Sequence, residues 1–203
     1  MAKRQTTQNP EEEVLEQVEA TGGENVSQEV EQPAEEVEEE VAEESGITCM
    51  ATPENDGVAL VDGDGQTLLI VALNEAQLAF GGEQSQDLEE DVASPSMTEL
   101  DGQQRSSFLI DFYGIEEKTI PALDACTDFG WLPSGGEMAL IYANKDAINE
   151  QLETLGGTPL GDGKYWTSQR FSNDRMWSID MSTGTFGIAL GTASVAGVRA
   201  VKK

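Results

Sequence analysis

Residues 11 to 44 contain no aromatic side chain and consist mostly of Glu, Val, Gln and Ala, interrupted by Gly22-Gly23 and Pro33. Such a stretch cannot bury enough apolar surface to offset the entropy lost when its backbone is ordered, so by itself it cannot form a domain. Any core must come from the residues that follow. The first 50 residues hold 15 glutamates and no aspartate against only Lys3 and Arg4, a large share of the formal net charge of -28. The chain therefore reads as an acidic arm, residues 1–50, joined to a body, residues 56–203. The arm's valines are patterned. Val14, Leu15 and Val18 share a helical face, and Val30, Val37 and Val41 recur at spacings of seven and four. Three or four unbroken heptads, which a coiled coil needs, are missing. Two readings stay open for the arm. One is a solvating tail; the other is a tether whose stripe, Val14, Val18, Val30, Val37 and Val41, docks on a basic partner surface or self-associates.

Charge and composition exclude several functions for the body. Nucleic-acid affinity comes largely from Lys and Arg displacing counterions, and a chain with 11 basic and 39 acidic residues works against it. Anionic membrane surfaces are disfavoured for the same reason. With no histidine, Ser-His-Asp and Cys-His catalysis are ruled out, and so is the commonest neutral metal ligand. Cys49 and Cys126 cannot build a tetrahedral zinc site. They are either a disulfide or, the expected case, small apolar side chains. MAKRQTTQNPEEE turns acidic where a secretory apolar segment would begin, and no run approaches the roughly 18 apolar residues of a membrane span. No membrane insertion and no cofactor or metal are expected, and assembly is expected in a cytoplasm.

The body alternates strand and helix signals. Val58 and Leu60 face Leu68–Val71 across VDGDGQ, a hairpin with an Asp-Gly turn. Begun at Asp62, a calcium loop would need Gly and Glu where Thr67 and Leu73 stand. Residues 82–107 read as a polar loop, and 108–113 as a short strand or helix entry. Residues 120–126 have near-helical spacing. Ser134 and Glu137 form a capping box ahead of MALIY. Asn144 opens a helix whose Ile148, Leu152 and Leu155 share a face, closed by Gly156-Gly157. Alternation then sends Trp177, Ile179 and Met181 inward, a turn follows at 182–185, and Phe186, Ile188 and Leu190 repeat the pattern. Residues 197–201 read as a final strand.

Between these strands lies YWTSQRFSNDR, read as an outward loop. Aromatic rings beside Arg, Asn and Asp are what a sugar site uses, the ring packing on C–H faces while polar groups fix hydroxyls. The candidate ligand-binding residues are accordingly Tyr165, Trp166, Arg170, Asn173, Asp174 and Arg175. No carboxylate spacing singles out an acid/base pair, so no catalytic residue is assigned.

The order FLIDFYG, GWLPSGGEM, NKDAIN, LGGTPL, YWTSQRFSNDRMWSIDMSTGTF and VRAV, preceded by GVALVDGDG, resembles the Lcl C-terminal domain family, a variant of the C-type-lectin fold, as found in virion proteins of crAss-like gut phages. The resemblance covers residues 56–203. It implies an α+β, C-type-lectin-like domain of short helices and antiparallel β-hairpins, and a non-enzymatic virion protein, a head fibre decorating the capsid surface. Its partners would be the major capsid or other virion proteins through the arm, further copies of itself as a dimer or trimer, and a host cell-surface glycan. The paired catalytic cysteines of the related formylglycine-generating enzymes have no counterpart here. The Glu-Pro-Asn and Trp-Asn-Asp calcium signatures of true C-type lectins are also absent.

Overall fold

The computed structural model describes residues 46–81, 97–115, 120–172 and 174–203, with the backbone alone at 113–115. The arm valines and Leu15, most of the polar segment 82–107, and Asn173 lie outside the described residues. The body is α+β, with two sheets. One has the order β1-β2-β3-β9, and the other β4-β8-β5-β6-β7. The strands of the first are β1 (Thr48–Thr52), β2 (Gly57–Val61), β3 (Thr67–Ala72) and β9 (Val201–Lys202). Those of the second are β4 (Ala76–Ala79), β5 (Lys164–Ser172), β6 (Arg175–Asp180), β7 (Thr185–Leu190) and β8 (Val195–Val198). The helices are α1 (Gly102–Ile115), α2 (Pro121–Asp124), α3 (Gly135–Ala143) and α4 (Lys145–Thr154). The first sheet begins at Thr48, which pairs with Val61, so its edge strand reaches into residues assigned above to the arm.

Several elements form as their local chemistry dictates. Asp62 closes the β2–β3 turn by accepting the N–H groups of Asp64 and Gln66 (3.0 and 2.8 Å), with Gly65 in the left-handed region that favours glycine. The α3 capping box is complete. Ser134 Oγ accepts from Glu137 N, and Glu137 Oε2 accepts from Ser134 N at 2.8 Å. Ile148 and Leu152 of α4 are fully buried, and Gly157 N caps the helix on Leu152 O.

Three segments differ from the sequence reading. Residues 102–115 form one helix, where the sequence reading had the end of a loop followed by a short strand or helix entry. Its inward face is Gly102, Ser106 and Leu109, at i, i+4 and i+7, and two of those three carry no apolar side chain to advertise the helical period. Residues 197–201 are not one strand: β8 belongs to one sheet and β9 to the other, and Arg199-Ala200 crosses between them. Trp177 is only half-buried, while Ser178, expected outside, is buried. Ser178 is buried because apolar clusters cover both faces of this part of the sheet. Tyr165, Ile179 and Met181 join Met138 and Ile141 of α3 on one side, and Trp166 and Met176 join Leu109 and Leu123 on the other.

The crossover places Arg199 between the sheets, buried and fixed by four acceptors. Its Nη1 donates to Ala72 O and Leu73 O (2.9 and 2.8 Å), and its Nη2 to Glu75 Oε2 and Thr158 O (2.9 and 2.7 Å). Tyr165 Oη donates to the same Glu75 carboxylate at 2.5 Å and accepts from Gly161 N at 2.9 Å. Burial pushes the Tyr165 phenol up to about 12, and its bond to Glu75 adds to the rise. This network joins the end of β3, the β8–β9 crossover, β5 and the loop after α4.

Candidate functional site

The candidate ligand residues of 165–175 do not form one loop. All of 164–172 is strand β5, and its side chains are divided between two faces. Tyr165 sits in the network just described, and Trp166 is buried against Phe80 (ring centroids 5.9 Å apart), its Nε1 donating to Leu78 O. Neither reaches solvent, so the reading of this segment as an outward display loop is corrected. Asp174 and Arg175 are exposed at the β5–β6 turn, 3.9 Å apart, a separation worth little as an ion pair in water.

Beyond Trp166 the strand bulges. Trp166 pairs with Ser178 and Arg170 with Met176, so Thr167, Ser168 and Gln169 stand opposite Trp177 alone. Bulges re-aim side chains, and this one turns toward the start of α3. Ser168 N donates to Pro133 O (2.8 Å), and Gln169 Oε1 accepts from Gly135 N (2.8 Å), one of the free donors of the helix's first turn. Gly135 has room for no more than hydrogen there, because a Cβ would stand 2.5 Å from Gln169 Oε1.

Two surfaces result at the far end of β5. The first is a cleft of about 320 Å³ between α1 and β5, whose walls include Gln104, Arg105, Phe108, Ser168 and Arg170. Arg105 is held by Asp101 through Nε (2.8 Å) and Nη2 (2.6 Å), a two-pronged pair that fixes its plane. Ser168 is 2% exposed, and its hydroxyl has no hydrogen-bond partner among the described residues. Arg170 is buried, with Nε donating to Ser172 O at 3.0 Å. Below this region Glu137 accepts from Ser134 N, Trp131 Nε1 and the Gly102 backbone. Burial nonetheless holds its carboxyl above the usual value, since those bonds only partly offset the loss of water.

The second surface is on the opposite face. Phe171 meets Trp177 edge to face, with centroids 5.6 Å apart. Trp177 pairs with Ile188, and Arg175 with Leu190, on the edge strand β7. Phe171, Ile188 and Leu190 are 42%, 40% and 41% exposed, so the face that the alternation of β7 would bury stays open at this end.

In comparisons with known proteins, no family model and no curated protein matches the chain. Among solved structures, a fimbrial protein from Bacteroides ovatus ATCC 8483 is similar at a TM-score of 0.54 and 16% identity. The match covers 66% of this chain and 35% of the fimbrial one, and at that identity it is a likeness of fold. Among the described residues there is no group of three or more His, Cys, Asp or Glu side chains that could hold a metal ion, and no helix is long and apolar enough to cross a membrane.

Of the residues named from the sequence, Arg170 lines this cleft but is buried, and the sequence reading missed Gln104, Phe108 and Ser168. The hidden period of α1 concealed the first two. The third depends on a bulge, for which the uninterrupted polar run TSQ carried no glycine or proline marker.

Proposed function

We propose that the chain is a non-enzymatic structural and adhesive component of a surface assembly, in which copies associate through the open face of β7. One observation carries this reading. In a chain with a net charge of -28, the edge strand Thr185–Leu190 has no charged residue and leaves Ile188 and Leu190 exposed beside Phe171 and Trp177. Natural edge strands are usually guarded by charge, proline or short length, because their free N–H and C=O groups template pairing. A second copy is the occupant that fits, since an uncharged strip is where two strongly acidic chains can meet without like-charge contact, and antiparallel pairing of β7 with itself is self-complementary. Light scattering of the purified chain should show a dimer or higher homo-oligomer, and Ile188→Lys should give monomers. A wild-type chain that stays monomeric at all concentrations overturns the self-association.

In its finer form the proposal is a capsid-decorating head fibre of a phage, with a C-type-lectin-like body of the Lcl C-terminal domain family. The acidic arm anchors to the major capsid or another virion protein, and the body faces outward to a host glycan. The order of segments and the concentration of carboxylates in the first 50 residues support it, and a fold neighbour named as a fimbrial protein supports the coarser idea of a surface component. A chain lacking residues 1–45 should fold but fail to enter particles; normal incorporation would refute the anchoring role. A second reading, a glycan-binding adhesin module of a bacterial or phage surface, draws on the exposure of Asp174 and Arg175 beside Phe171 at the hairpin tip.

A further inference from the structure

We infer that the cleft between α1 and β5 is a saccharide site, entered from solvent past Gln104 and Phe108 and floored by Ser168. This deepens the adhesion reading and rests on it, but it places the sugar away from the hairpin tip, on the other face of β5.

The floor carries the argument. A buried hydroxyl without a partner loses its bonds to water and gains none in return, a cost that a native core seldom leaves standing. Ser168 lines the cleft and is 2% exposed, its N–H is committed to Pro133 O, and its buried Oγ has no hydrogen-bond partner among the described residues. A ligand hydroxyl, which both donates and accepts, satisfies it in either sense.

The walls decide the ligand class. An apolar ligand would leave Ser168 unsatisfied and cover two guanidinium groups at a loss. A phosphate or sulfate would meet two carboxylates, Glu99 and Asp101, on the same lining, with Arg105 already engaged by Asp101 at 2.6 Å, in a chain that is strongly anionic as a whole. A neutral polyol ring suits each wall. Asp101 can accept from hydroxyls, Arg170 lies beside Ser168 to donate to them, and the exposed Gln104 amide can do both. The half-exposed ring of Phe108, stacked on Phe112 at 6.0 Å, offers the apolar plate on which sugar C–H faces pack. A cleft of about 320 Å³ is at the small end of ligand pockets, the size for one or two sugar rings.

The test uses the full chain on an array of neutral mono- and disaccharides, with any hit titrated in solution. Ser168→Ala, Gln104→Ala and Phe108→Ala should each weaken binding about tenfold, as loss of one ligand contact does. The urea midpoint of Ser168→Ala should not fall, because its hydroxyl holds nothing in the free protein. Phe171→Ala and Arg175→Ala should bind normally. Binding lost in those two hairpin variants and kept in the cleft variants would overturn the cleft assignment while leaving adhesion intact. Binding to no saccharide on the array would overturn the site altogether, and attachment of the labelled chain to host cells would then judge adhesion separately.

Discussion

Replacing Arg199 with methionine tests whether the crossover between the two sheets holds the body together. Methionine fills much of the volume of the stem but supplies no donor. Leu73 O keeps its bond from Thr158 N (2.8 Å), whereas Ala72 O and Thr158 O each lose the Arg199 donor, and the Glu75 carboxylate keeps Tyr165 but loses its counter-charge. An orphaned buried acceptor costs about 1–3 kcal/mol, and breaking a buried ion pair from one side about 3–5 kcal/mol. Because these penalties share the same atoms they do not add, and a total of about 3–5 kcal/mol is expected, a large part of the roughly 5–15 kcal/mol that holds a domain folded. Urea unfolding followed by tryptophan fluorescence would measure it, since Trp131, Trp166 and Trp177 all lie in the body. The denaturant midpoint should fall without a change of slope. Adding Glu75→Gln to Arg199→Met should recover part of the loss, because the second change removes the uncompensated charge. A cost under about 1 kcal/mol for Arg199→Met would refute the reasoning, as the value of a solvent-screened surface pair.

Stability should fall at alkaline pH in two overlapping stages. Burial pushes the Cys126 thiol from 9.0, and the Tyr165 phenol from 10.0, up to about 12. Both neutral forms are favoured by folding, so their contributions are whole below those ordinary values and are lost as pH rises toward 12. Cys126→Ala should remove the earlier part of the decline and Tyr165→Phe the later, read as urea midpoints across pH 8 to 12. Gly197→Ala should cost about 1–3 kcal/mol in the same assay, because a Cβ there would stand 2.6 Å from the Tyr165 ring, which the network to Glu75 keeps from moving aside. Ile188→Lys should leave monomer stability within about 1 kcal/mol, since its site is open to solvent, while shifting the oligomer distribution measured by light scattering.

Much of the body could be read where local chemistry decides the structure. The Asp62 turn, the Ser134–Glu137 box and the Ile148–Leu152 face are complete within a few residues, and each formed as its pattern required. Failures came where partners distant in sequence decide. Ser106 lies on the inner face of α1 because its hydroxyl reaches Leu132 O, 26 residues away, and no periodicity of apolar residues reports such a bond. Arg199 is in the core for the same kind of reason, its acceptors lying 41 to 127 residues off. The reading of Tyr165 and Trp166 as a ligand platform rested on the polar residues that follow them, but what buries those rings comes from β4, the loop after α4 and the segment ending at Phe80.

The two candidate surfaces are carried by one strand, on either side of the residues that follow the bulge at Thr167–Gln169. A strand covered on both faces can place successive side chains in two cores, as β5 does with Tyr165 and Trp166. Past the bulge the same alternation places Arg170 on the wall of the cleft and Phe171 on the open apolar face. Because side-chain direction along a strand has period two, the parity that sends Arg170 one way sends Phe171 the other; the bulge adds two residues to β5, which keeps the parity set at Trp166 and brings Arg170 opposite Met176. Its own position is set by Pro133 O and the first turn of α3, where Gln169 caps Gly135. The alternation of β5 therefore points the proposed ligand wall and the proposed self-association face in opposite directions, and the anchoring of a helix start fixes the register at which they begin. The proposed module, which would hold its neighbours on one side and meet a ligand on the other, needs that geometry, and consecutive residues of a rigid element provide it.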